Sequence, residues 1–167
     1  MAAFQEDGDP IFVARATIDG SVTNGMLKPK LSFAQISYAG QEYKKETYEV
    51  LVFNSESPPL AWVAAQNGDL PGGAIQGGRE ANGDPLYVVK ALVEDHVSIG
   101  KLNPKFDIAN FPNNGTETGV TSYEVLVASN SESTTAIATA STTTTTTSGF
   151  HFKMFLKLWM LLSVQYF

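Results

Sequence analysis

Two runs of nearly unbroken apolar character stand out along the chain, Ile11–Ile18 and Leu86–Val93. Both are rich in β-branched and aromatic side chains and too short for ordinary helices, so they predict strands. Each carries one cation at the same place, Arg15 and Lys90, able to face solvent or a groove. Ala34–Tyr38 alternates apolar and polar residues, as a half-buried strand does. Ala109–Asn113 has a similar pattern but contains Pro112, which predicts an edge or irregular strand because proline cannot donate to a ladder. Tyr48–Phe53 and Tyr123–Val127 predict further strands. Asp7-Gly8 and Asn82-Gly83 precede the two long runs and predict two-residue hairpin turns with positive φ. No stretch before residue 128 has helical periodicity, so the fold class is all-β.

These elements recur at a fixed offset of 75 residues. Gly8–Val52 aligns with Gly83–Val127 without a gap, and 18 of the 45 positions are identical. Unrelated sequences would share roughly 3, at about 6% identity. The identities include Gly8-Asp9-Pro10 with Gly83-Asp84-Pro85, Gly25 with Gly100, Pro29 with Pro104, Gly40 with Gly115, and Tyr48–Val52 with Tyr123–Val127. Glycine and proline at fixed offsets predict the same turns in both copies. The second copy opens with Trp62-Val63, then Gly68–Ala74 and Gly77-Gly78. The counterpart of Trp62 would fall before Met1, and no motif after Val127 repeats this opening. The expectation is a first repeat that lacks its opening segment, as in a fragment, a faulty gene model or a divergent member.

Domain organisation follows. Residues 1–128 form one tandem-repeat domain, with repeat one at 1–57 and repeat two at 58–128. Residues 129–149 are a Ser/Thr/Ala tract with Thr142–Thr147 unbroken. Without aromatic anchors it cannot build a core and predicts a disordered linker. Residues 150–167 are apolar and aromatic, with Lys153 and Lys157. At 18 residues this tail is at the short limit for a membrane-spanning helix. Three readings stand: a translated non-coding end, a tail that packs on the domain or a surface, and a membrane anchor.

Charge and composition then narrow the chemistry. The chain has 167 residues, a net charge of −6 and only 11 Lys+Arg. No basic stripe exists to neutralise phosphates, so a nucleic-acid partner is not expected. There is no cysteine, hence no disulfide framework, thiolate site or cysteine nucleophile. His96 and His151 are the only histidine bases. No nucleophile elbow, metal-spaced cluster or P-loop accompanies them, and Gly72-Gly73 and Gly77-Gly78 lack dinucleotide-loop spacing. Neither an enzyme nor a cofactor is expected, and no acidic loop suggests calcium. The N-terminus lacks a basic and apolar signal pattern, which points to the cytoplasm.

Taken in order, Trp62-Val63, Leu70-Pro71-Gly72-Gly73-Ala74, Gly77-Gly78-Arg79-Glu80, Leu86-Tyr87-Val88, Gly100-Lys101 and Tyr123–Leu126 resemble the DM-nine repeat. The resemblance covers residues 5–127. It implies two interlocked repeats in one all-β domain with pseudo-two-fold symmetry, similar to the lectin module of natterin-like proteins. It further implies a mannose-binding lectin of invertebrate innate immunity, cytosolic and able to form a homodimer. Two sugar contacts carry over by position. Glu80 stands where the family usually has Asp, and Lys101 is the lysine of its Gly-Lys. A carboxylate can accept hydrogen bonds from adjacent pyranose hydroxyls, and an ammonium can donate to them. Gly77 and Gly78 would let backbone approach the ligand. In the first repeat the matching positions are Gln5 and Met26, with Glu6 a substitute at a one-residue slip, so one working and one dead or weakened site are expected. Trp62 reads as core rather than as a sugar-stacking platform. The alternative reading is a protein-interaction β-repeat that has lost sugar binding. Membrane contact through residues 150–167 is the remaining partner reading.

Overall fold

The computed structural model describes residues 3–4, 8–52 and 57–129. The expected linker beyond residue 129, the apolar tail, Gln5 and Glu6 lie outside the described residues. Among the described residues there are thirteen strands and no helix.

Repeat one supplies β1 (Ala3–Phe4), β2 (Pro10–Ile18), β3 (Ser21–Leu27), β4 (Ala34–Tyr38), β5 (Gln41–Lys45) and β6 (Glu49–Val50). Repeat two supplies β7 (Leu60–Gln66), β8 (Gln76–Arg79), β9 (Pro85–Val93), β10 (His96–Leu102), β11 (Ala109–Asn113), β12 (Thr116–Val120) and β13 (Ser122–Ala128). The long strands form because β-branched and aromatic side chains pack well on a pleated surface. Tight turns join them. Asp19-Gly20, Ala39-Gly40 and Asn114-Gly115 each place two successive residues at positive φ, between 47° and 88°, the twist that suits two-residue hairpins. Gly83 has positive φ as expected, but Asn82-Gly83 is not a two-residue hairpin. β8 pairs β9 through Arg79 and Pro85, leaving a five-residue connection closed by Glu80 N donating to Asp84 O at 2.8 Å.

The repeats interlock at two seams. β8 of repeat two pairs β3 of repeat one at Val22 and Arg79, and β5 pairs β12 at Gln41 and Thr116. These seams close β3-β4-β5-β12-β11-β10-β9-β8 into an eight-stranded barrel. The pseudo-two-fold is visible bond by bond. Glu42 N donates to Gly115 O and Glu117 N to Gly40 O, both at 3.1 Å. Gly40 N donates to Glu117 Oε2 at 2.8 Å, and Gly115 N to Glu42 Oε2 at 3.3 Å. Ion pairs repeat as well: Arg15–Glu49 matches Lys90–Glu124, and Lys30–Asp9 matches Lys105–Asp84. Proline in β11 is tolerated because the β10–β11 ladder stops at Asn110 and Lys101; Ser98 Oγ bonds Pro112 O instead, at 3.1 Å.

The two copies differ on their outer side. β13 lies between β9 and β7 and pairs β7 over seven residues. Its counterpart β6 has two residues and pairs only β2 among the described residues. β1, by contrast, has the register of β8: Ala3 faces Ile11 as Gly78 faces Leu86. The core reflects this difference. In repeat two, Val89, Val93, Leu102, Phe111, Tyr123, Val125 and Val127 are buried under Ala61, Ala65 and Leu70. In repeat one, Ala14, Ala16, Ile18, Ala34 and Ile36 form a smaller cluster rimmed by half-buried Leu27, Tyr38, Tyr43 and Tyr48. A third cluster, with Ile11, Val13, Met26, Val88, Ile99 and Leu126, joins the repeats. Burial pushes the Tyr123 phenol above its ordinary pKa while its hydroxyl donates to Asp69 O at 3.2 Å.

Candidate functional site

Glu80 follows β8, where repeat two meets the β2–β3 hairpin of repeat one. It is half-buried, and its Oε2 accepts from Ser21 Oγ at 3.1 Å. The same Ser21 oxygen accepts from Ala81 N at 3.0 Å, so a buried serine of one repeat holds a carboxylate and a turn of the other. The turn is braced on its far side. Asp84 pairs with Lys105 at 2.6 Å, and its N–H bonds Asn82 Oδ1 at 3.0 Å. The Lys105 bond holds the Asp84 carboxyl below its ordinary pKa. Arg79 beside Glu80 is exposed.

Gly77 and Gly78 are both buried, and the structure gives a reason for each. A Cβ on Gly78 would stand 1.9 Å from Val22 O, and one on Gly77 would stand 2.2 Å from Asn24 Oδ1. The close backbone approach that these glycines permit is therefore between β8 and β3. It is the seam that seats Glu80. Arg15 contributes from β2, its Nη1 donating to Gly77 O at 3.0 Å.

Lys101 lies elsewhere on the barrel. Its partner on β9 is Val88, whereas the turn carrying Glu80 leads into Pro85. The side chain is buried at 5% exposure. Nζ donates to Ser37 O at 2.5 Å, stands 2.8 Å from Glu117 Oε1, and lies 5.4 Å from the Tyr38 ring centre. The Glu117 contact is an ion pair without good hydrogen-bond angles, since Oε1 has no hydrogen-bond partner. Buried Ser37 Oγ and Asn113 Oδ1 also lack partners. Lys101 thus ties β10 to β4 and β12 across the repeats. No described hydrogen bond or ion pair joins it to Glu80. In repeat one its counterpart Met26 is fully buried in the shared apolar cluster, and Gln35 Nε2 serves Glu42 instead, at 2.9 Å.

Trp62 is half-buried against the shared cluster, with Lys90 Nζ 5.1 Å from its ring centre. It packs as core, as its place at the start of a strand suggested. His96 sits at the start of β10, its Nδ1 3.5 Å from Asp95 Oδ1.

Sequence reasoning missed Ser21, Ser37 and Glu117 as partners of the two charges. Glu117 carries a signal, since it repeats Glu42 at the common offset. The serines carry none, because Ser21 aligns with His96 and Ser37 with Pro112.

No curated protein matches the chain at a significant level. The family profile of the DM9 repeat matches residues 5–120. That profile describes a lectin-type binding module, not a catalytic family, and is consistent with carbohydrate binding. The match spans well over half of the 167 residues and both interlocked copies: the chain belongs to the DM9 repeat family.

Proposed function

We propose that this protein is a non-catalytic, cytoplasmic lectin that binds mannose-type glycans in innate immune recognition. Family membership over residues 5–120 is the observation that carries the reading. Glu80 is the primary sugar contact. Among the described residues only its Oε2 is engaged, which leaves acceptor capacity for a pair of adjacent hydroxyls. Arg79 and the Ser21 hydroxyl supply polar neighbours. Lys101, the other family position, acts on this reading by holding the barrel, since its buried ammonium is engaged by Ser37 O and Glu117 away from Glu80. Gly77 and Gly78 act by seating β8 against β3. The first repeat is weaker or silent on this reading because Gln5 and Met26 stand at the positions of Glu80 and Lys101, so both charges are gone.

A second reading, a protein-interaction module, is favoured by one observation: among the described residues β6 has a strand neighbour on one side only. The two readings part in a mannan pull-down on the whole chain with EDTA present. The lectin reading expects retention of the parent and at least a ten-fold loss for Glu80→Gln, with identical circular dichroism. A folded parent that passes mannan without retention hands the case to the interaction module.

A further inference from the structure

The β5–β12 seam rests on two hairpin tips that grip each other. Ala39-Gly40 joins β4 to β5, and Asn114-Gly115 joins β11 to β12. Each tip offers its glycine carbonyl to a glutamate N–H of the other repeat, and its glycine N–H to the carboxylate of that same glutamate. Beyond these bonds the seam has one paired position among the described residues, Gln41 with Thr116. The tips also share a backbone. φ is 49° and 83° at Ala39 and Gly40, and 49° and 88° at Asn114 and Gly115. Alanine meets the conformation in repeat one, so the turn does not demand asparagine in repeat two. What asparagine adds there is chemical.

An asparagine followed by glycine can react with its own chain. The glycine nitrogen, unshielded by a side chain on its own residue, attacks the asparagine Cγ. A C–N bond forms, and the carboxamide nitrogen leaves as ammonia with the proton that the glycine N–H gives up through solvent. Water then opens the cyclic imide at one carbonyl to aspartate, or at the other to isoaspartate, whose backbone is one carbon longer. Asparagine is thermolabile in part for this reason.

The sequence has four such pairs, at Asn24, Asn67, Asn82 and Asn114, and the structure separates them. Asn24 is buried, and Gly25 is laddered between β2 and β4. Asn82 is tied to Asp84 by both polar atoms of its side chain, and Gly83 N donates to Glu80 O at 2.9 Å. Gly68 is crowded, since a Cβ there would stand 2.8 Å from Phe106 O, and its backbone lies against the Tyr123 phenol. Asn114 and Gly115 are both exposed. Beyond its chain neighbours, no heavy atom lies within 4 Å of where a Gly115 Cβ would be. Gly115 N reaches Glu42 Oε2 only at 3.3 Å, whereas its twin Gly40 N is held at 2.8 Å. No hydrogen bond among the described residues engages the Asn114 side chain.

We propose that Asn114 is a spontaneous deamidation site whose conversion loosens the β5–β12 seam. The extra backbone carbon of isoaspartate breaks a turn that two residues at positive φ close. The new carboxylate also stands near that of Glu42, and like charges repel. Repeat one keeps its tip, because Ala39 cannot react. The outcome is a one-sided opening between the repeats that advances with the age of the chain and owes nothing to sugar binding.

Ageing the full chain in mildly alkaline buffer, with peptide mapping by mass spectrometry, tests this. Conversion at Asn114 should run at least ten-fold faster than at Asn82 and should quicken as pH rises, because the attacking nitrogen must lose its proton. Amide exchange at residues 40–42 and 115–117 should speed at least five-fold as product accumulates, while β9 and β13 stay protected. Asn114→Ala copies Ala39, so that chain should fold and hold its seam exchange constant over the same period. Conversion no faster at Asn114 than at Asn82, unchanged seam exchange in the converted chain, or equal loosening in the Asn114→Ala chain would each overturn the proposal.

Discussion

Lys101 brings a full charge into a buried position and satisfies it with one carbonyl, one carboxylate and one ring face. A buried charge is tolerated only when its partner stays with it, and removing one member leaves the other desolvated and alone. Lys101→Ala should therefore cost about 3–5 kcal/mol, read as a fall in the urea midpoint. Lys101→Met with Glu117→Gln removes both charges together, with methionine standing as Met26 does in repeat one, and should recover more than half of that loss. Equal destabilisation by the single and the double variant would contradict the buried-pair account. The consequence for function is direct: loss of sugar binding in a Lys101 variant is informative only beside a measured stability, whereas Glu80, held by a single serine, can be changed with little effect on the fold. That Glu80 and Lys101 carry charge where repeat one has Gln5 and Met26 was legible in the sequence. Their separation was not, because spacing along a chain does not say which strand of the other repeat will lie against each residue. Ser21 and Ser37 decide that, and both sit at positions where the other repeat has a different residue.

At the scale of elements, the seam between β8 and β3 determines where Glu80 points. Gly78 has no room for a methyl group, since Val22 O would lie 1.9 Å from its Cβ, whereas Gly72 has open space around it. Gly78→Ala should destabilise the domain by about 1–3 kcal/mol and loosen the turn at residues 80–84, while Gly72→Ala should be neutral within about 0.5 kcal/mol. Thermal melts of the two variants check this; equal midpoints would mean that the seam is not held by close backbone contact. The long strands β2 and β9 were readable from apolar runs, and β4 from its alternation. β3, β10 and β12 were not singled out, because their sequences mix glycine, serine, threonine and asparagine with apolar residues. Buried Thr23, Asn24 and Ser98 are permitted there by barrel closure, a property of the whole sheet rather than of a local pattern. Pro112 misled in the same way: it marks the point where one ladder ends inside the barrel, not the edge of a sheet.

At the scale of the whole molecule, two copies of one β unit share strands at two seams, so neither can hold its core without the other. That arrangement places a half-buried carboxylate of one repeat against a serine of the other at the junction of β8 with the β2–β3 hairpin. The claim that this carboxylate reads a sugar is tested most directly by titrating the whole chain with mannose and following backbone amides by NMR. The account predicts calcium-independent, saturable shifts concentrated at residues 20–22 and 79–84, lost in Glu80→Gln. A folded protein whose amides stay still at high mannose, or whose shifts cluster away from that junction and survive Glu80→Gln, would contradict it.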